Sequence, residues 1–361
     1  MKMVKKRNLI LTIISIIILI VFVYLVDNNL DSYNTRILNL CAIYVILALS
    51  MNLVNGFTGL FSLGHAGFMA VGAYTTALLT MSPAMKVQNF FLAPIIKPLA
   101  NVTMPFLPAL LIAGLITALV GYLIATPVLR LKGDYLAIAT LGFSEIIRVI
   151  FTNTQTLTNG ALGLKGIPDT TNVWWTFGSA VVTVVIISSL INSSYGRALK
   201  AIREDEVAAE SMGINLFKHK VLSFTIGAFF AGIGGGLLGN LLGTIDPLMF
   251  RFILTFNILL IIVLGGMGSI TGSIIAAFIV TISTEELRFL DEKMDFGFVT
   301  FQGIPGLRMV VFSALLMLVI IFFRHGLMGT KEFSFNKMIA FFTNNPFSKL
   351  RKKPLEKGGH E

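Results

Sequence analysis

Apolar runs long enough to cross a bilayer recur down the chain with short polar turns between them. This pattern limits the possible folds more than any other feature of the sequence. A helix of about 20 residues is about 30 Å long, the thickness of the hydrocarbon layer. We read ten such runs, over residues 9–26, 37–54, 57–80, 106–127, 134–151, 174–192, 221–243, 252–265, 270–284 and 304–323. The eighth and ninth are short and read either as a tilted hairpin or as one broken helix, so the range is eight to ten. The expected fold is all-α, a polytopic transmembrane bundle with one extra-membrane helix.

Composition supports the same reading. Only 13% of residues are charged and 55% are hydrophobic, with a mean hydropathy of +0.84. A soluble domain carries about 25% charge. The net charge of +10 does not point to nucleic acid, because the basic residues sit in turns between apolar runs and form no single exposed face. The lone Cys41 reads as a small buried hydrophobe. The apolar run after Lys5, Lys6 and Arg7 ends in Val26-Asp27-Asn28-Asn29 with no small-residue cleavage pattern, so it reads as a retained span rather than a removed leader.

Lysine and arginine set the orientation. With an internal N-terminus, the inner segments carry Lys2, Lys5, Lys6, Arg7, Arg130, Lys132, Arg197, Lys200, Arg203, Lys218, Lys220 and a basic tail from Arg324 onward. The outer segments carry only Arg36, Lys86, Lys97, Lys165, Arg251, Arg288 and Lys293. Both termini are therefore expected in the cytoplasm of a plasma-membrane protein. Three regions are expected: 1–36, an anchor span and outer loop; 37–329, the transmembrane domain; and 330–361, a basic tail.

Several stretches depart from plain apolar helix. Residues 52–72 hold Gly56, Gly59, Gly64, Gly67 and Gly72 between Asn52, Asn55, Thr58, Ser62 and His65. Polar backbone at membrane depth survives only against protein or water. The glycines read as close helix crossings; His65 is open between a packing role and a pathway lining. Gly234-Gly235-Gly236 and Gly265–Gly272 repeat the theme. Glu145 lies near mid-membrane with Arg148 three residues on, and the two read as an ion pair, with a pathway or subunit seam as the alternative. Residues 193–220 are too polar to span. They read as one helix to Met212, capped by Asn192-Ser193-Ser194, stopped by Gly213 and presenting Ala201, Ala208 and Ala209 as a docking surface.

No Gly-x-x-x-x-Gly-Lys-Ser/Thr loop occurs, so the chain is not expected to bind ATP by that motif. His65, His219, His325 and His360 make no metal-ligand spacing, and no metal, cofactor or catalytic residue is expected.

Five stretches together resemble the branched-chain amino-acid permeases of bacterial ABC importers, in particular the longer LivM-like subunit. They are Leu47–Gly67 with Gly72-Ala73-Tyr74, Leu131–Arg148, Gly196–Ile214, Leu264–Gly272 and Phe323–Gly329. The resemblance covers about residues 37–329. It implies a non-enzymatic permease working with a second homologous permease subunit, two ATP-binding subunits and an extracytoplasmic binding protein. ATP would be used by the partners. The Ala208-Ala209…Gly213 core, with Arg197, Lys200, Arg203 and Glu206, resembles the loop through which such permeases engage their ATPases. The implied substrates are leucine, isoleucine and valine; another amino acid or urea is the alternative. A self-contained secondary carrier would have to couple through Glu145, and a membrane enzyme is disfavoured because the polar residues are scattered.

Overall fold

A computed structural model describes residues 17–131, 133–291, 294–295, 300–301, 306–322, 326–329 and 332. The first half of the 9–26 run and nearly all of the 330–361 tail lie outside the described residues.

Helices dominate. In chain order they are α1 (Ile17–Asn29), α2 (Ser32–Asn52), α3 (His65–Thr80), α4 (Pro83–Asn89), α5 (Lys97–Ala100), α6 (Phe106–Val128), α7 (Asp134–Asn153) and α8 (Gln155–Thr158). There follow α9 (Val173–Asn192), α10 (Ser194–Glu204), α11 (Glu206–Ser211), α12 (Leu216–Leu242), α13 (Phe252–Gly265), α14 (Ile270–Glu286) and α15 (Leu307–Phe322). Three short 3-10 turns (Gly160–Leu162, Pro247–Phe250 and Leu287–Asp291) and two antiparallel two-residue pairs accompany them, β1 (Leu164–Lys165) with β2 (Thr244–Ile245), and β3 (Met294–Asp295) with β4 (Thr300–Phe301). Six helical stretches are long and apolar enough to cross a membrane. Among the described residues α1 and α13 are shorter apolar helices, and α3 and α15 have 16 residues each.

The connections fall at two ends. At one end Asn89 Nδ2 donates to the Lys165 carbonyl, Ile167 N to Gly243 O and Trp174 Nε1 to Asp27. At the other, Arg203 reaches Gly56, Asn52 accepts from Gly268 N and Leu327 N donates to Leu264 O.

Three helices form the centre. Every residue of α3 except Thr75 is buried, and 78% of the apolar stretch of α2 and of α12 is buried, against 28–39% in α6, α7, α9 and α14. The rim is apolar outward: Leu107, Leu111, Leu115, Leu119 and Leu123 form an exposed stripe on α6, one per turn. Such a surface is stable in lipid and not in water. Lipid tails are as apolar as leucine, so close contact between small residues does the packing. A Cβ on Gly72 would stand 2.0 Å from the Gly232 carbonyl oxygen, and one on Gly235 would stand 2.2 Å from that of Met69. The glycine-rich stretches of α3 and α12 are thus two faces of one crossing; the sequence reading expected a close crossing at the first stretch without identifying its partner.

The structure corrects two expectations and decides between the two alternatives left open for residues 252–284. Residues 57–80 are not one helix: α2 continues as a π-helix over Leu53–Phe57, the chain then leaves helical form, and α3 starts only at His65. Residues 196–212 are two helices, because Asp205 is extended and its side chain caps the second. The short spans at 252–284 are two helices reversing at 266–269, where Gly266 and Gly268 take positive φ. There Gly265 and Gly272 meet backbone to backbone.

Candidate functional site

The π-helix and the break after it lie inside the bundle, so their polar groups need partners. Leu53 O accepts from both the amide and the hydroxyl of Thr58. Asn55 pins the loop by donating to Ser62 O at 3.1 Å and accepting from Ser62 N at 3.3 Å. Leu63 N donates to Thr140 Oγ1 of α7 at 3.0 Å, and Ala66 N to Thr255 Oγ1 of α13 at 2.9 Å. His65 Nε2 lies 3.2 Å from Ser50 Oγ, and its ring edge meets Phe68. Asn52 joins this segment to the α13–α14 turn: it donates to Ser269 O (2.9 Å) and Ser273 Oγ (2.8 Å) and accepts from Gly268 N (2.8 Å). Asn52, Asn55, Thr58, Ser62 and His65 therefore gather at one place. All five are buried, and their hydrogen bonds knit the break together and tie it to the helices around it.

The 193–220 segment lies at the same end. Ser193 and Asn215 cap α10 and α12, and Asp205 accepts from Val207 N (2.8 Å) and Ala208 N (3.0 Å) at the start of α11. At its far end Gly213 N bonds to Glu210 O and Ile214 N to Ala209 O. With Gly213 at φ +81°, this is the paired-bond stop that a left-handed residue makes. Lys220, itself buried, holds Glu206 at 2.5 Å and ties α11 to α12. Ala209 is buried while Ala208 is exposed, so the small-residue surface expected from Ala201, Ala208 and Ala209 is not one face. The outward face instead carries Val207 and Met212, 73% and 83% exposed, beside Ala208.

Arg197 is exposed. Lys200, also exposed, and the half-buried Arg203 reach toward the bundle: the Lys200 ammonium lies 5.8 Å from the Phe57 ring centre, and Arg203 Nη1 donates to Gly56 O at 3.1 Å. Glu145 and Arg148 stand apart on α7, paired at 2.7 Å with side chains 38% and 23% exposed.

Sequence reading missed Thr140, Thr255, Val207, Met212 and Glu332. The Glu332 carboxylate accepts from Ile270 N (2.6 Å) and Thr271 N (3.2 Å) at the start of α14. Nothing in local sequence marks these partners, which come from distant elements. At the opposite end, Lys86 donates to Leu99 O and Val102 O from a buried position, and burial holds its ammonium below the usual lysine value. A cavity of about 330 Å³ lies toward that end, between α2, α13, α14 and α15, with Tyr44, Asn257, Thr281 and Glu285 on its wall. It takes in none of the expected site residues.

Over residues 33–321 the chain matches the family described as the branched-chain amino acid transport system / permease component. Among curated proteins it is 37% identical over 290 residues to the high-affinity branched-chain amino acid transport system permease protein LivM of Escherichia coli, an alignment covering 71% of this chain and 64% of that protein. It is 36% identical to the Salmonella typhimurium LivM, covering 69% and 62%. It is 26% identical to the E. coli LivH, covering 80% and 92%. The chain thus spans under two thirds of the length of the two LivM proteins. No solved structure matches it. The family match takes in the π-helix, the α10–α11 pair and the glycine crossings described above, and the chain belongs to the family of permease components of branched-chain amino acid transport systems.

Proposed function

We propose that this chain is a transmembrane subunit of an ATP-driven importer, its helices forming part of the path for leucine, isoleucine and valine. The α10–α11 end faces the cytoplasm, as do both termini. Two ATP-hydrolysing subunits seat against it, a second homologous permease packs beside it, and a binding protein delivers substrate at the opposite end. The chain supplies no chemistry of its own; ATP is consumed by the partners.

The observation that carries this reading is the α10–α11 pair. A short helix with exposed Val207, Ala208 and Met212 stands outside the apolar bundle, held by Asp205, Gly213 and the Lys220–Glu206 pair. Exposed apolar side chains on an extra-membrane element mark a surface that another protein covers. The names of the relatives, and the missing nucleotide loop, indicate which kind of protein.

The test is purification through a tag on this chain, with ATPase assay of the eluate and uptake of labelled leucine by cells. The wild type is expected to bring down ATPases and support uptake. Gly213→Pro forces φ near −65° where +81° is required and should abolish both while the protein still inserts; Val207→Asp should weaken co-purification. Uptake that survives ATP depletion and collapses with an uncoupler would instead establish a secondary carrier. Competition by urea or by other amino acids reads out the substrate.

A further inference from the structure

Arg203 occupies a cradle made of three glycines from two parts of the chain. A Cβ on Gly59 would stand 2.8 Å from Arg203 Cγ, and one on Gly268 would stand 2.7 Å from Nη1. Gly56, whose carbonyl accepts from Nη1, has no room for a side chain either, since its Cβ would overlap Asn52 Oδ1 and meet Gly268 N. Gly59 and Gly268 also take positive φ. Glu204 fixes the guanidinium from outside, with Nε at 3.1 Å and Nη2 at 2.6 Å from its Oε1. One turn earlier, Lys200 meets Phe57. An arginine needed only for solubility or surface charge would not require this enclosure.

The acceptor is as specific as the donor. Gly56 is next to last in the π-helix Leu53–Phe57. The last carbonyls of a helix have no partner in its own ladder, and a charged donor supplies one here at more than ordinary strength. Short π-helical stretches inside α-helices recur at functional sites. Asn52, one turn back, bonds Gly268, Ser269 and Ser273, so a pull on this segment also reaches the α13–α14 turn.

We propose that Arg203 is a positioning residue that transmits movement of the α10–α11 pair into the membrane helices, by its hold on the Gly56 carbonyl. In this division of labour Val207, Ala208 and Met212 meet the partner, while Lys200 and Arg203 face the other way. The proposal rests on the importer reading above.

The experiment uses the complex purified through a tag on this chain, in a Cys41→Ala, Phe61→Cys background. Phe61 lies exposed on the break and reports on its movement through the rate of labelling by a water-soluble maleimide. Expected for Arg203→Met is normal co-purification and ATP hydrolysis, leucine uptake reduced about tenfold, and a labelling rate that no longer differs between nucleotide-free and vanadate-trapped complex. Arg203→Lys, which offers a point charge without the planar fork, should restore part of the uptake. Wild-type uptake in Arg203→Met overturns the proposal, and loss of co-purification overturns it too, by making Arg203 a docking residue. If Arg203→Met does not reach the membrane, Arg203→Lys decides: assembly with reduced uptake supports the proposal, and wild-type uptake sinks it. A wild-type chain that brings down no ATPase would refute the importer reading itself, a separate outcome.

Discussion

Glycine serves two different needs in this chain, and single substitutions separate them. At Gly72 the need is space, because a Cβ would stand 2.5 Å from the Gly232 Cα as well as 2.0 Å from its carbonyl oxygen. Backbone cannot step aside as a side chain can. Gly72→Val is therefore expected to push α3 off α12 and cost about 1–3 kcal/mol or more, read as a lower thermal midpoint of the protein in detergent with insertion unaffected. At Gly213 nothing lies within 4 Å of the Cβ position, and only the positive φ matters. The polar residues divide similarly. Asn52 and Asn55 were visible in sequence as polar groups at depth, but Thr140 and Thr255, which satisfy Leu63 N and Ala66 N, look like any other hydroxyl in an apolar run.

At the scale of elements, the two departures from regular helix have local causes of different legibility. The stop at Gly213 could be read from sequence, because glycine after a helical run is the common left-handed terminator. The break at Asp205 was missed. The run Ser194–Ser211 has no proline or glycine after Gly196 to announce an interruption, and aspartate is only a mild helix breaker on propensity. It acts here as a cap, replacing the ladder by two side-chain bonds to Val207 N and Ala208 N. Asp205→Ala should cost about 0.5–2 kcal/mol locally. The expected result is faster hydrogen exchange at the Val207 and Ala208 amides, with exchange in α12 unchanged. Unchanged exchange at both amides would mean that the Lys220–Glu206 tie alone holds α11.

For the whole molecule, the outer face of α7 departs from the apolar rim. Gly142 is exposed with open space before it, and the half-exposed Glu145–Arg148 pair lies one turn further on. A charged group facing lipid at that depth costs about 2.5–3.5 kcal/mol on insertion scales. On the importer reading proposed above, this face is expected to be covered by a second permease subunit. A photo-crosslinker on Gly142→Cys in a Cys41→Ala chain should capture a permease-sized protein, while the same probe on Leu115→Cys, in the α6 stripe, should capture lipid. Equal capture of lipid at both sites would put the seam elsewhere.

Read by itself, the sequence determined that the chain lives in a bilayer, roughly where it crosses, and which family it resembles. Each of these depends on local composition or on short motifs: apolar length, basic turns, runs of glycine. It also led to the expectation that residues 193–220 stand outside the membrane, because the segment is so charged, whereas the structure gives residues 216–220 to the first turn of α12. Tertiary structure alone decided that the polar stretch 52–65 is a π-helix followed by a break. That break is held by hydroxyls from α7 and α13. It alone turned Arg203 inward onto Gly56 and left Val207 and Met212 facing out. The physical reason is the same in each case. A buried polar group must find its partner in three dimensions, and here the partners lie tens to hundreds of residues away in the chain.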